Sequence, residues 1–228
     1  MAIITSKEDK GFKYIAFFDL DRTITKAISG RAIAIGAFKN GLMKRENIAG
    51  ALYLGISYRL GLADPARASE KMIGWIKGIP EKVIADLCEE VFRKVMLPSI
   101  YREAAAEIKI HKANDARIVI LSSSLAPICR AIADYLNFDD IICSRLEVLN
   151  GCFTGRPEGY LCYGNEKLAR LREYCEKNNS APESSWYYAD AIIDLPALSA
   201  VGFPICVNPD NRLKKAALVK GWKIVHWK

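Results

Sequence analysis

Two aspartates separated by a single leucine, Asp19-Leu20-Asp21, stand directly behind the apolar run Tyr14-Ile15-Ala16-Phe17-Phe18. A run rich in aromatic and β-branched residues predicts a buried strand. Residues two apart in a strand point to the same face, so both carboxylates emerge together where the strand ends. Like charges held that close repel, and burial makes each costlier. Other polar residues fall at comparable places along the chain. An apolar stretch over 118–121 ends in Ser122, a helix opens with Gly164-Asn165-Glu166-Lys167, and a later strand ends in Asp190 with Asp194 four residues on.

If these strands lie in one sheet, four carboxylates, one hydroxyl and one ammonium meet at one edge. Four clustered anions are tolerable only with compensating cations or protonation. Lys167 supplies one positive charge, and a hard divalent ion with oxygen ligands, Mg²⁺, supplies two more. The histidines and cysteines that zinc favours are missing from the set. This combination suits phosphoryl transfer. One carboxylate acts as nucleophile and forms an acyl phosphate. A second, two residues on, protonates the leaving oxygen and then activates water. Metal and lysine neutralise charge on the transferring group, with a hydrogen bond from Ser122 to a phosphate oxygen.

The elements that must position these residues follow from the periodicity. From Ser99 onward helices and strands alternate: helix Ser99 to Ala113, strand 117–121, helix Ala126 to Leu136, strand 140–143. A small hairpin is expected within 145–163, where Leu149-Asn150-Gly151 and Thr154-Gly155 both give turn signals. Then come helix Asn165 to Lys177, strand 185–189, helix Leu195 to Val201, strand 204–207, helix Arg212 to Lys220 and a short strand 222–225. Alternation of this kind implies an α/β fold with a doubly wound parallel sheet. Residues 26–97 read as helical throughout, with breaks at Gly41, Gly61 to Pro65 and Gly78 to Pro80. They form an α-helical cap inserted after the first strand, between core segments 1–25 and 98–228. Open α/β sheets bind ligands at the carboxyl edge of their strands, which places the cap over the site.

On these residues the chain resembles the haloacid dehalogenase-like superfamily, in particular its subfamily IB phosphatases related to phosphoserine phosphatase. Asp19-Leu20-Asp21-Arg22-Thr23 matches the D-x-D-x-T motif, Ser122 the second motif, Lys167 the third, and Tyr188-Ala189-Asp190 with Asp194-Leu195-Pro196 the fourth. The likeness runs on through Asn150 to Gly155 and Val207 to Asp210. It implies a Rossmann-like core and a Mg²⁺-dependent phosphomonoester hydrolase. Asp19 would be nucleophile and metal ligand. Asp21 would be acid/base and would offer its backbone carbonyl to the metal. Asp190 would be the remaining protein ligand, with Ser122 and Lys167 holding phosphate. Asp194 would support the metal or Lys167, and Thr23 would brace the first loop.

Three positions depart from the pattern. Ile193 is apolar where relatives carry a polar residue, which predicts weaker metal binding or slower turnover. Ser123-Ser124 stands where glycines usually allow close backbone approach. Ile28, nine residues after Asp19, lies in a neutral stretch where phosphoserine phosphatases carry an acid, and this argues against phosphoserine as substrate. Arg31, Lys39, Lys44 and Arg45 suit either a second anionic group on the substrate or a solvated helix face. Two other functions fit the same residues: a phosphatase for phospholipid head groups, using the apolar and basic insert at an interface (its apolar stretch Gly50 to Ile56 reads first as core packing between helices), and a non-catalytic binder of phosphate ligands.

Composition narrows the class. The chain has 228 residues, 51% hydrophobic and 26% charged, which suits one domain or one domain with an insertion. No run of about 18 apolar residues is present, so stable membrane insertion is not expected, and neither is a signal peptide. Seven cysteines without a C-x-x-C pair read as reduced thiols in a cytoplasm. His111 and His226 read as surface or satisfied structural residues. The net charge of +7 is concentrated in 26–97 and 209–228. It favours a small phosphorylated, anionic partner, and no basic run interleaved with aromatics marks a nucleic-acid reader. The chain is expected as a monomer or homodimer.

Overall fold

A computed structural model of the chain describes residues 11–44 and 73–228. Six strands form one parallel sheet: β1 (Tyr14–Phe18), β2 (Ala116–Leu125), β3 (Asp140–Ser144), β6 (Trp186–Ala189), β7 (Phe203–Val207) and β8 (Lys223–Val225), in the order β3-β2-β1-β6-β7-β8. The order reverses at β1, whose two neighbours are β2 and β6. That reversal is the switch point at which such sheets bind ligands. Strands β4 (Leu146–Leu149) and β5 (Cys152–Pro157) make a separate antiparallel hairpin. Its turn residues Asn150 and Gly151 both have positive φ, 51° and 77°, as a two-residue hairpin turn requires.

Strand β1 is buried on both faces, and its alternation sorts its residues to two sides. Ala16 and Phe18 join Ile118 and Ile120 in one cluster, while Ile15 and Phe17 join Val119 and Leu121 in the other. Helices α5 (Asn165–Lys177), α6 (Leu195–Leu198) and α7 (Asn211–Lys220) cover the second face through Leu171, Leu198 and Leu213. Helices α3 (Arg102–Ala113) and α4 (Ala126–Leu136) cover the first through Ile108, Ile128 and Ile132. Helices on both faces explain why the central strands are continuously apolar.

The inserted segment contributes α1 (Ser29–Lys39) and α2 (Glu81–Val91), which continues into a π-helical turn over Phe92–Met96. The predicted breaks at Gly41 and Pro80 fall after α1 and before α2; Gly50 to Ile56 and the break at 61–65 lie outside the described residues. The segment leaves and returns on paired strands of backbone: the Lys26 amide donates to the Ser99 carbonyl (2.8 Å) and the Tyr101 amide to the Ile24 carbonyl (3.0 Å). This pairing holds Ile100 extended, so α3 starts at Arg102 rather than at Ser99. The far end is stitched to the hairpin by Gly78 N–H to Phe153 C=O (2.8 Å), Phe153 N–H to Ile79 C=O (3.0 Å) and Glu81 N–H to Gly151 C=O (2.9 Å).

Arg31, Lys39 and Lys44 are exposed, a solvated face of the insert. The seven cysteines are free. His111 is buried and satisfied: the Tyr14 and Tyr188 hydroxyls lie 2.9 and 2.8 Å from its Nδ1 and Nε2. The helix expected over 195–201 stops at Leu198, because the chain must turn at Gly202 against the Glu183 carbonyl. Among the described residues no helix is long and apolar enough to cross a membrane.

Candidate active site

Strand register brings the predicted residues together. Phe18 lies level with Ile120 on β2 and with Tyr188 on β6. Asp19 follows the first by one residue; Ser122 and Asp190 follow the other two by two. Carboxylate oxygens of Asp19, Asp190 and Asp194 lie within 4.8 Å of one another, and all three residues are buried. Asp194 comes from the short turn Ile192–Asp194 that runs into α6.

Lys167 enters this cluster from the first turn of α5 and is 2% exposed. Its ammonium donates to Asp194 Oδ1 (2.6 Å), Asp19 Oδ1 (3.0 Å) and the Tyr187 hydroxyl (3.2 Å). Tyr187 in turn donates to Asp194 Oδ1 (2.8 Å). Burial alone would lower the lysine pKa; Asp19 and Asp194, with Tyr187, more than reverse this and hold it well above the ordinary value. Burial pushes the Asp194 carboxyl up, against the pull of Lys167. The N-terminal end of α5 carries partial positive charge, which also favours the neighbouring anions.

Arg22 adds a second cation at the rim, its Nε 3.5 Å from Asp190 Oδ2. Its backbone is left-handed, with φ 61°, a conformation costing a non-glycine residue about 1–2 kcal/mol. Three buried carboxylates against one buried ammonium and one half-exposed guanidinium leave net negative charge and an all-oxygen donor set. That set fits a hard divalent cation. Asp19 and Asp190 could hold it, with Asp194 fixed by Lys167 at their side.

Asp21 stands apart from the triad. Its Oδ1 accepts the Ser29 amide (2.8 Å), and its Oδ2 accepts the Ser29 hydroxyl (2.9 Å) and the Ser124 hydroxyl (3.4 Å). Burial, together with the negative charge of Asp19, pushes its pKa up to about 6 although these hydrogen bonds oppose the rise. Ser122 is buried and donates to the Ser124 Oγ (3.3 Å). Thr23 is buried too, but its Oγ1 has no hydrogen-bond partner among the described residues. Side-chain bracing of the first loop comes instead from Thr25, whose hydroxyl reaches the Leu20 and Ala27 carbonyls (3.3 and 3.1 Å).

Four residues of this site have no role in the sequence reading: Tyr187, Ser29, Ser124, which it takes only as a departure from glycine, and Asp210, which it takes only as the end of a stretch of likeness. Asp210 orders the loop carrying Asp190. Its amide donates to the Asp190 carbonyl (2.8 Å), one carboxylate oxygen accepts Ile192 N–H (2.9 Å), and the other caps α7 at Arg212 and Leu213. An aspartate just ahead of a helical run is a readable N-cap signal, whereas Tyr187 looks like any strand aromatic.

Comparison with known proteins agrees with this geometry. The model of the haloacid dehalogenase-like hydrolases matches residues 16–199. A probable phosphatase of Mycobacterium tuberculosis is 32% identical over 213 residues, covering 92% of this chain and 74% of the relative. The inhibition of morphological differentiation protein of Streptomyces azureus is 31% identical over 215 residues, covering 92% and 77%. Among solved structures, a protein of unknown function from Bordetella pertussis superposes with a TM-score of 0.83 at 26% identity, covering 94% of this chain and 99% of that one. A phosphoserine phosphatase bearing a phospho-aspartyl intermediate analogue shares the fold, with a TM-score of 0.71 at 18% identity, over 93% and 100% of the two chains. The chain therefore belongs to the haloacid dehalogenase-like hydrolase family and is phosphoserine phosphatase-like within it.

Proposed function

We propose that this protein is a Mg²⁺-dependent phosphomonoesterase acting on a small phosphorylated metabolite, with the phosphoryl group held covalently on Asp19 midway through the reaction. The observation that carries the reading is Lys167, whose buried ammonium touches Asp19 and Asp194 together at the carboxyl edge of the sheet. A relative over 30% identical that is described as a probable phosphatase supports it.

Asp19 attacks phosphorus as the bond to the ester oxygen breaks, and Asp21 donates its proton to that leaving oxygen. Asp21 then removes a proton from the water that attacks the acyl phosphate, which releases inorganic phosphate and restores Asp19. Lys167 and the Ser122 hydroxyl hold phosphate oxygens, and Asp194 and Tyr187 fix the lysine. Asp19, Asp190 and the Asp21 backbone carbonyl would hold Mg²⁺, which would supply positive charge to the transferring group. Residues 26–97 act as a cap whose described part packs beside the site. Phosphoserine is disfavoured, since α1 opens with no acidic residue in its first turn.

Release of phosphate from p-nitrophenyl phosphate, with Mg²⁺ or with EDTA, tests the reading in wild type and Asp19→Asn. Turnover that needs the metal and is lost in the variant is the expected result. Equal turnover in Asp19→Asn, or failure of the wild type to bind Mg²⁺ together with phosphate, overturns it.

A further inference from the structure

Asp21 is held by the insert, not by the motif that contains it. Its two carboxylate oxygens take the backbone N–H and the side-chain hydroxyl of Ser29, the first residue of α1. The residue that precedes α1, Ile28, has no side-chain acceptor with which to cap the helix. The first amides of a helix lack intrahelical partners, and the positive end of its dipole favours an anion. Asp21 fills that vacancy from eight residues upstream, so the carboxylate and the helix start fix each other.

The hydroxyls around this contact form a directed chain. With Ser29 giving its single proton to Asp21 Oδ2 at 2.9 Å, Ser124 has two acceptors in reach, Ser29 Oγ at 2.6 Å and the same carboxylate oxygen at 3.4 Å, and the shorter contact takes its proton. Ser124 in turn accepts from Ser122 (3.3 Å). Each hydroxyl gives one hydrogen bond and accepts one. All three serines are buried, so a partner removed from this chain is not readily replaced by water. The chain links the residue that holds phosphate, the residue that handles the proton and the first helix of the insert.

We propose that Ser29 is a positioning residue for the proton-transfer step, aiming the Asp21 carboxyl at the ester oxygen through this serine chain. The inference rests on the phosphomonoesterase reading and adds that the docking of α1 sets the geometry of the acid. When Ser29 is replaced by alanine, Asp21 loses its nearer side-chain partner and keeps the amide and the longer Ser124 contact, so its carboxyl gains rotational freedom.

A proton donor matters most when the leaving oxygen is a poor leaving group. The test compares kcat/KM for phenyl phosphate and for p-nitrophenyl phosphate, two esters of similar shape, one of which departs readily without a proton. kcat/KM reports the steps through cleavage of the ester bond and is blind to later hydrolysis of the acyl phosphate. Ser29→Ala is expected to lower the value for phenyl phosphate at least about ten-fold more than that for p-nitrophenyl phosphate, within the range that general acid catalysis supplies. Ser124→Ala, which cuts the chain but leaves both Ser29–Asp21 hydrogen bonds in place, should shift the ratio in the same direction by less. Equal losses on both esters indicate general damage to the fold and overturn the proposal, as does an unchanged ratio in Ser29→Ala. Should Ser29→Ala fail to fold, an unchanged ratio in Ser124→Ala overturns it. A wild type that is inert toward both esters and fails to bind Mg²⁺ together with phosphate strikes down the phosphatase reading itself and the inference with it.

Discussion

Replacing Lys167 by methionine keeps most of the side-chain volume and removes the charge. In the native protein the ammonium touches Asp194 Oδ1 at 2.6 Å, Asp19 Oδ1 at 3.0 Å and the Tyr187 hydroxyl at 3.2 Å, all away from solvent. The variant leaves Asp19, Asp190 and Asp194 facing one another with Arg22 at the rim. Removing one member of a buried ion pair costs about 3–5 kcal/mol, because the remaining charge is uncompensated. For a chain of this length, 1 kcal/mol moves the melting point by about 2–4 °C, so a drop of roughly 6–20 °C is expected in EDTA. The assay is thermal unfolding followed by circular dichroism, with Asp194→Asn and the double variant completing a cycle. Since Asp194→Asn removes one of the two charges that Lys167 balances, the double variant should lose about 2 kcal/mol less than the two single losses summed. Mg²⁺ should raise the melting point of Lys167→Met more than that of wild type, because it replaces the missing positive charge by mass action. A loss under about 1 kcal/mol in Lys167→Met, or strict additivity in the cycle, would refute the claim that the acidic cluster depends on this lysine.

Three further perturbations probe how the site is supported. A Cβ at Gly202 would stand 1.8 Å from the Glu183 carbonyl oxygen, which is backbone and cannot swing aside; Gly202→Ala should cost about 3 kcal/mol or more, and a denaturant midpoint close to wild type would contradict this. Gly155 has φ 82°, and a Cβ there would meet the Lys77 Cβ at 3.0 Å. Gly155→Ala should therefore speed hydrogen exchange at the Gly78 and Phe153 amides that join insert to hairpin, and unaltered exchange there counts against that joint. Burial depresses the His111 pKa despite nearby Glu107, and Tyr14 and Tyr188 are the other titratable groups facing it. A histidine with a depressed folded pKa leaves the unfolded chain binding more protons. Stability is thus retained above about pH 6.5 and lost as pH falls below it, by up to about 1.4 kcal/mol per unit; a wild-type acid slope that persists in His111→Gln would refute this.

Much of this was readable because it rests on local rules. The apolar run before Asp19 makes a strand, Asn150-Gly151 makes a hairpin turn, and the helices over 126–136 and 165–177 have the bounds their periodicity predicts. Chain order alone then places Asp19, Ser122 and Asp190 at one sheet edge, since parallel strands align their carboxyl ends. What escaped is set by tertiary contact. Ser99 looks like a helix start, but pairing of Ile100 with Thr25 delays α3 to Arg102. Thr23 is the motif threonine, yet the hydroxyl that braces the loop is that of Thr25. Ser29 gives no local signal, because its importance comes from where α1 docks.

Ile193 shows how an apolar departure can sit comfortably beside a charged site. Read from sequence, it removes a polar neighbour and predicts weaker metal binding. In the fold, its Cδ1 lies 3.6 Å from where a Cβ on Gly164 would stand, against the turn that opens α5. Gly164 has φ 55° there, and the next turn carries Lys167 into the acidic cluster. The half-buried isoleucine lies over the buried Gly164, while Asn165, the first residue of α5, is exposed. Its apolar contact adds packing at the turn that delivers Lys167 to Asp19 and Asp194. The change removes a polar neighbour next to Asp194 in the chain, while the same side chain packs on the turn ahead of Lys167. The two effects act on different partners of one carboxylate, so metal affinity and protein stability need not change together at this position.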